Sequence, residues 1–157
     1  MNKLKVVPFA MIVVALVAFV LMSPQQTTGQ PLGGRPLTAI LTGAAEVSPG
    51  DPDGSGLADL TLNSGQEQIC FEFKVENIAA PTRAHIHAAP AGMNGPIVVT
   101  FFDLNVSPPV PVPPDLEGCV DVDRDLVKAI RKNPGNYYVN IHNAEFPPGA
   151  IRGQLFK

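Results

Sequence analysis

Proline and glycine occur along this chain at a density that excludes long helices. The 157 residues include 17 prolines and 14 glycines, and a proline inside a helix removes a hydrogen bond and clashes with the preceding turn. Both residues also mark turns, so their frequency predicts many short strands joined by tight connections. A core can still form, because 45% of the residues are hydrophobic. The length fits one domain with an N-terminal extension.

About eight segments have the pattern of short strands. Residues 69–75 are the clearest, because apolar residues alternate there with others and predict one buried face. One short helix is predicted after Asp123, a good N-cap residue. Residues 44–49 are expected to be extended, since the residue before a proline avoids helical geometry. The predicted strands are residues 37–42, 56–62, 69–75, 83–88, 97–102, 118–122, 136–142 and 150–156. These elements predict an antiparallel β-sandwich or barrel.

The first 30 residues have the layout of a secretory signal. A short basic start is followed by an apolar run at residues 6–22 and a polar stretch at residues 23–30. The apolar run is near the lower limit for a membrane span and has no clear A-x-A cleavage site, so an uncleaved N-terminal anchor is the alternative. In both cases the folded part, expected at residues 36–157, lies outside the cytoplasm: secreted, periplasmic or on the cell surface.

The two cysteines are compatible with such a compartment. Cys70 and Cys119 each lie on the outward face of a predicted strand, as a bridge between neighbouring strands requires. An even cysteine count in an exported domain predicts a disulfide between them. Two free thiols are the alternative.

All three histidines of the chain lie in predicted strands. His85 and His87 are two residues apart, so their side chains point to the same face, and His142 ends a later strand. If these strands and the last one are neighbours, polar residues collect on one surface. That surface would contain His85, His87, Asn140, His142, Arg152 and Gln154.

This surface has three interpretations. Three histidines with a water molecule form a known zinc arrangement, and neutral imidazole also suits copper. The same residues could instead form a structural hydrogen-bond network, or contact a protein or glycan partner. Glu46 is an additional candidate, as an extra ligand or as an outer partner of the histidines. The His-x-His spacing on a strand is similar to that of copper–zinc superoxide dismutase, another β-sandwich, but that dinuclear site uses more histidines than this chain has.

Several functional classes lack support in the sequence. A net charge of −3 gives no footprint for nucleic acid. No serine-nucleophile motif or phosphate-binding loop is present, and no pair of carboxylates is placed for acid–base hydrolysis. We therefore assign no catalytic residues. Membrane contact is expected only through residues 6–22, if that segment is not cleaved.

The histidine segments carry longer patterns that resemble the CHRD domain, the module named after chordin. Residues 84–99, with Ala-His-Ile-His followed by Gly-Met-Asn-Gly-Pro-Ile-Val-Val, are similar to its first signature, and residues 137–155 to its second. The opening at residues 41–47 also matches. Asn143 and Ala150 depart from the family pattern, where threonine and glutamate are frequent, without affecting the histidines.

The resemblance implies an immunoglobulin-like, Greek-key β fold outside the cytoplasm. In animal chordin such modules belong to a secreted antagonist of bone morphogenetic proteins, but for single-domain members the resemblance implies no established activity. Two hypotheses follow. The chain is a non-catalytic binding module, or it is a mononuclear copper- or zinc-binding protein with a superoxide-dismutase-like sandwich architecture.

Overall fold

The computed structural model describes residues 33–157, so the predicted signal or anchor at residues 1–30 lies outside the described part. Among the described residues, no helix is long and apolar enough to cross a membrane. The strands are β1 (Arg35–Thr42), β2 (Ser55–Asn63), β3 (Gln68–Glu76), β4 (Pro81–Ala88), β5 (Ile97–Asp103), β6 (Glu117–Asp121), β7 (Tyr137–Asn143) and β8 (Ile151–Gln154). One α-helix, α1 (Arg124–Lys132), lies between β6 and β7.

All eight strands form one antiparallel sheet in the order β5-β4-β7-β8-β1-β2-β3-β6. The sheet is nearly barrel-shaped, and the all-β, eight-stranded fold with one short helix predicted from the sequence is confirmed. We call β5, β4, β7 and β8 the histidine half, because they carry the three histidines and their neighbours. We call β1, β2, β3 and β6 the disulfide half.

The core is built from the alternating apolar faces of the strands. In β1 the residues Leu37, Ala39 and Leu41 are buried, as the period of two requires. Phenylalanines from both halves meet inside: Phe71 of β3 lies 4.7 Å from Phe101 of β5 between ring centroids. The two halves of the sheet therefore share one core.

The helix α1 closes one side of this core. The Asp123 side chain accepts hydrogen bonds from the backbone N–H groups of Asp125 and Leu126, which confirms the predicted N-cap. Val127 and Ile130 are fully buried on one helix face. The helix packs beside β2 and β3, so it stabilises the disulfide half.

The predicted disulfide is present between β3 and β6. Cys70 and Cys119 are directly opposite in the antiparallel ladder, and their sulfur atoms are 2.09 Å apart. Cys70 is covered although it lies on the outward face, whereas Cys119 is exposed.

One local prediction was wrong. Residues 44–49 were expected to be extended, but a 3-10 turn spans Gly43–Ala45 and is closed by a hydrogen bond from the Glu46 N–H to the Gly43 carbonyl. Pro49 restricts only Ser48 before it, so it has no influence on this turn. The turn brings the Glu46 side chain towards β7.

Candidate metal centre

Strand pairing brings the three histidines onto one side of the histidine half. In the ladder between β4 and β7, His85 is opposite Asn140, and His142 is opposite Arg83, two residues before His85. Since residues opposite each other and residues two apart point to the same side, all three imidazoles project together. One ring nitrogen from each histidine lies within 4.8 Å of those from the other two.

One nitrogen of each ring is held by a fixed acceptor. His85 Nε2 lies 3.2 Å from Asp103 Oδ2, His87 Nδ1 lies 2.9 Å from the Gly95 carbonyl oxygen, and His142 Nδ1 lies 2.9 Å from the Pro147 carbonyl oxygen. Because all three partners are acceptors, these three nitrogens carry the hydrogen. Each remaining nitrogen then carries no hydrogen and presents its lone pair as an acceptor.

The remaining nitrogens have no hydrogen-bond partner. His85 Nδ1, His87 Nε2 and His142 Nε2 are buried and unpaired among the described residues. Only two other buried side-chain atoms there share this condition, Arg83 Nε and Asn143 Nδ2, and both are donors. Buried polar atoms are normally satisfied, and leaving one unpaired costs about 1–3 kcal/mol. Three unpaired acceptors on neighbouring rings therefore form a set of donor atoms that fits a ligand accepting lone pairs.

Burial keeps the rings neutral. It is the main cause that lowers the pKa of His85 to about 4, helped by the neighbouring His87 and opposed by Asp103. Burial likewise lowers the pKa of His142 to about 4, and it lowers the pKa of His87. Neutral imidazole is the form that coordinates a metal ion.

A stack of three side chains supports His87 from one side. The Tyr138 ring lies parallel to the His87 ring at 4.8 Å between centroids, and the Arg152 guanidinium carbon lies 3.4 Å from the Tyr138 centroid. Arg152 is only 1% exposed. Cation–π contact and stacking thus fix the plane of His87.

The same arginine fastens the loop that covers the histidines, residues 89–96. Arg152 donates hydrogen bonds to the carbonyl oxygens of Met93 at 2.6 Å and Pro90 at 3.4 Å, and to Asn94 Oδ1 at 3.2 Å. Gln154 Nε2 donates to the Ala89 carbonyl oxygen at 2.7 Å. The loop in turn supplies the Gly95 carbonyl that holds His87.

Glu46 is joined to this network through Asn140. Asn140 Nδ2 donates a hydrogen bond to Glu46 Oε1, and burial raises the pKa of Glu46 to about 7 although Arg152 and Asn140 oppose the shift. A Cβ atom at Gly149 would lie only 2.5 Å from Glu46 Oε1, so the loop before β8 packs directly on this pair. Glu46 is not among the residues whose ligand atoms converge, which are the three histidines.

The structure thus brings together all the residues proposed from the sequence for this surface, and it adds partners that the sequence did not reveal. Asp103, Gly95 and Pro147 were missed. Tyr138 shares the face of Asn140 and His142 in the sequence pattern, so alternation could have found it. The loop carbonyls carry no side-chain signal.

Comparison with protein families then places the chain. The family model described as CHRD domain matches residues 37–155. The chain belongs to the CHRD domain family. No curated protein and no solved structure shows a significant match. CHRD domains are typically extracellular, and the Cys70–Cys119 disulfide fits that setting.

Proposed function

We propose that this CHRD domain is an exported, non-catalytic binding module whose ligand is one copper or zinc ion, held by His85 Nδ1, His87 Nε2 and His142 Nε2. The observation that carries the proposal is that the two nitrogens of each ring have different roles. One nitrogen donates to an anchored acceptor, the other is buried and unpaired, and the three rings offer nitrogens within 4.8 Å of one another.

The anchored acceptors have the function expected around a metal ion. Histidine ligands usually donate their second N–H to a carboxylate or a carbonyl, which fixes the tautomer and the ring orientation. Here Asp103 serves His85, while the carbonyls of Gly95 and Pro147 serve the other two rings. A purely structural network would need no such common focus and would leave three acceptors unsatisfied.

Export is part of the proposal and rests on separate observations. The basic and apolar N-terminal segment has the layout of a signal peptide or anchor, and a disulfide is typical of an oxidising compartment. Metal in such a module would be held or stored. A protein or glycan partner on the outer surface is compatible with this role.

Isosteric substitutions test the metal site without removing the anchors. In His87→Asn and His142→Asn, the amide nitrogen takes the place of Nδ1 and keeps the donor to the carbonyl, while Nε2 is lost. In His85→Gln the amide nitrogen takes the place of Nε2 and keeps the contact with Asp103. We expect the wild-type chain to bind one ion tighter than micromolar and each variant to lose at least about 100-fold in affinity.

Metal analysis of the protein from its native compartment and calorimetric titration would give these values. As a control, Tyr137→Phe changes the opposite face of β7 and should leave the affinity unchanged. A folded wild-type chain that arrives metal-free and binds neither copper nor zinc would contradict the proposal.

A further inference from the structure

The proposed metal site has three ligands and is closed to solvent. Within residues 33–157, the convergent group contains only His85, His87 and His142. The nearest carboxylate, Asp103, already accepts from His85 and from the Asn105 N–H, and both cysteines are in the disulfide. The three free nitrogens are inaccessible to water. Among the described residues no further side chain therefore completes a fourth coordination site, and solvent does not reach the three nitrogens.

From this geometry, and resting on the proposed function, we infer that the ion is copper(I) in a three-coordinate, trigonal site. Zinc in proteins is almost always four-coordinate, and with three histidines its fourth ligand is a water molecule. Copper(II) favours square-planar or tetragonal sites with at least four nitrogen or oxygen ligands. Copper(I) has a filled d shell and accepts three ligands without a water molecule.

The distances allow all three nitrogens to reach one ion. The centre of a triangle with 4.8 Å sides lies about 2.8 Å from each corner, so the shared point is at most that far from the nitrogens. Metal–imidazole bonds are about 2.0 Å long. A contraction of less than about 1 Å by each ring completes a trigonal site, whereas a tetrahedral ion would need an open side for its fourth ligand.

Charge balance points to the same ion. Three neutral imidazoles contribute no charge, and the cost of burying an ion rises with the square of its charge. The Asp103 carboxylate, in contact with His85, neutralises a single positive charge. The positive charges of Arg83 and Arg152 act on these rings as well, so a second positive charge on the ion would meet further repulsion.

A copper(I) ion in this site would give the module a chemical role. A closed trigonal site resists oxidation, because copper(II) cannot gain the extra ligands that it needs. The protein should therefore retain copper(I) in air and act as a carrier or store of reduced copper outside the cytoplasm. Turnover of a redox substrate would require an accessible coordination position, and this geometry provides none.

Competition titrations of the full chain provide the test. Copper(I) would be added without oxygen against a colorimetric copper(I) chelator, and zinc(II) and copper(II) against chelators of their own. We expect one copper(I) per chain, bound at least about 100-fold tighter than zinc(II). X-ray absorption should show three nitrogen neighbours, and the loaded protein should stay silent in electron paramagnetic resonance after exposure to air.

Two controls separate the possible outcomes. Met93, which carries the thioether of the 89–96 loop, is 58% exposed. Met93→Leu should leave copper(I) affinity unchanged, because the site needs no sulfur ligand, while His87→Asn should abolish tight binding. Zinc binding tighter than copper(I), or a fourth water ligand, would overturn the copper(I) inference and leave the metal-binding function intact. If none of the three ions binds, both the copper(I) inference and the metal-binding function are overturned.

Discussion

The two halves of the sheet differ in how far their charged side chains are exposed, as Lys74 and Arg152 show. In the disulfide half, the side chain of Lys74 is 63% exposed and pairs with Glu72 at 3.0 Å in water. In the histidine half, Arg152 is almost fully buried and bonds to the loop above it. The disulfide half therefore follows ordinary alternation, with one face exposed to water, whereas β7 and β8 of the histidine half bury both faces.

The difference explains where a ligand site can form. A polar face that meets water is satisfied by the solvent, so unpaired atoms there carry no information. A buried polar face must satisfy itself, and in the histidine half it does so almost completely through loop carbonyls. The three histidine nitrogens stand out only against that background. Stability and ligand binding should therefore be separable between the halves.

Removal of the disulfide should have the largest effect on stability and no effect on metal binding. The bond links residues 49 apart in sequence, and closing such a loop is worth roughly 4 kcal/mol on the chain-entropy estimate. Chemical denaturation of Cys70→Ala/Cys119→Ala should show this loss. Metal titration below the denaturation midpoint should still give one ion per chain. A folded double variant without metal binding would show that the halves are coupled.

Replacing Arg152 should come next, with an effect on both properties. Arg152→Met keeps much of the side-chain volume but leaves the Met93 and Pro90 carbonyls unpaired, so we expect a loss of about 3 kcal/mol in the free energy of unfolding. Metal affinity should also fall, since the 89–96 loop and the His87 plane lose their support. Lys74→Met, the matched change on the wet face, should stay within about 0.5 kcal/mol. Equal effects of the two variants would remove the contrast between the halves.

Acid should weaken the metal-free protein through the histidine half. His85 and His142 have folded pKa values of about 4 against an ordinary 6.5, so between pH 6.5 and 4 the unfolded chain binds protons that the folded chain rejects. Stability must then fall as the pH falls through that window. Glu46, with its pKa raised to about 7, acts in the opposite direction between pH 7 and 4.5. Two histidines outweigh one carboxyl, and the net loss should be on the order of 2 kcal/mol after allowance for solvent screening.

Thermal or urea unfolding between pH 7 and 4 would measure this slope. In the double variant His85→Gln/His142→Asn the slope should become much shallower, because His87 alone then opposes the contribution of Glu46. An unchanged slope in that variant would assign the acid sensitivity to other groups.

The smallest expected effect lies at the helix of the disulfide half. Asp123→Ala removes the acceptor for two backbone N–H groups at the start of α1 and should cost about 1 kcal/mol. Asp121→Ala, on the exposed end of β6, should cost less than about 0.5 kcal/mol. Both variants should bind metal as the wild type does, and a change in metal affinity in either would argue against independent halves.

The sequence predicted the disulfide half better than the surroundings of the metal site. Strict alternation in β3 identified its buried face, and the outward position of Cys70 and Cys119 predicted their bond. The helix followed from Asp123. These features depend on neighbours in sequence or on a period of two, both of which can be read directly from the chain.

Alternation also grouped His85, His87 and His142 with Asn140 and Arg152, because face membership is local. The partners of the histidines are not local. Asp103 reaches His85 across a ladder whose register shifts on both sides of His85–Ile86, and a bulge of this kind is set by packing. The carbonyl of Pro147 holds His142 only because the loop before β8 folds over the sheet. A backbone oxygen has no residue-type signature, so such anchors could not be predicted.

The position of β8 determines when the sheet can be completed. Among the described strands β8 comes last in sequence, yet it lies in the middle of the sheet, between β7 and β1. Its ladder pairing to β1 is brief, at Thr42 opposite Arg152. A chain that is delivered from its N-terminus therefore has its first seven strands available before it has a continuous sheet. Until residues 151–154 are in place, the two halves are not joined by a strand ladder, and the loop over the histidines has no arginine to hold it. Loss of residues 151–154 would remove the strand that joins the two halves at the centre of the sheet.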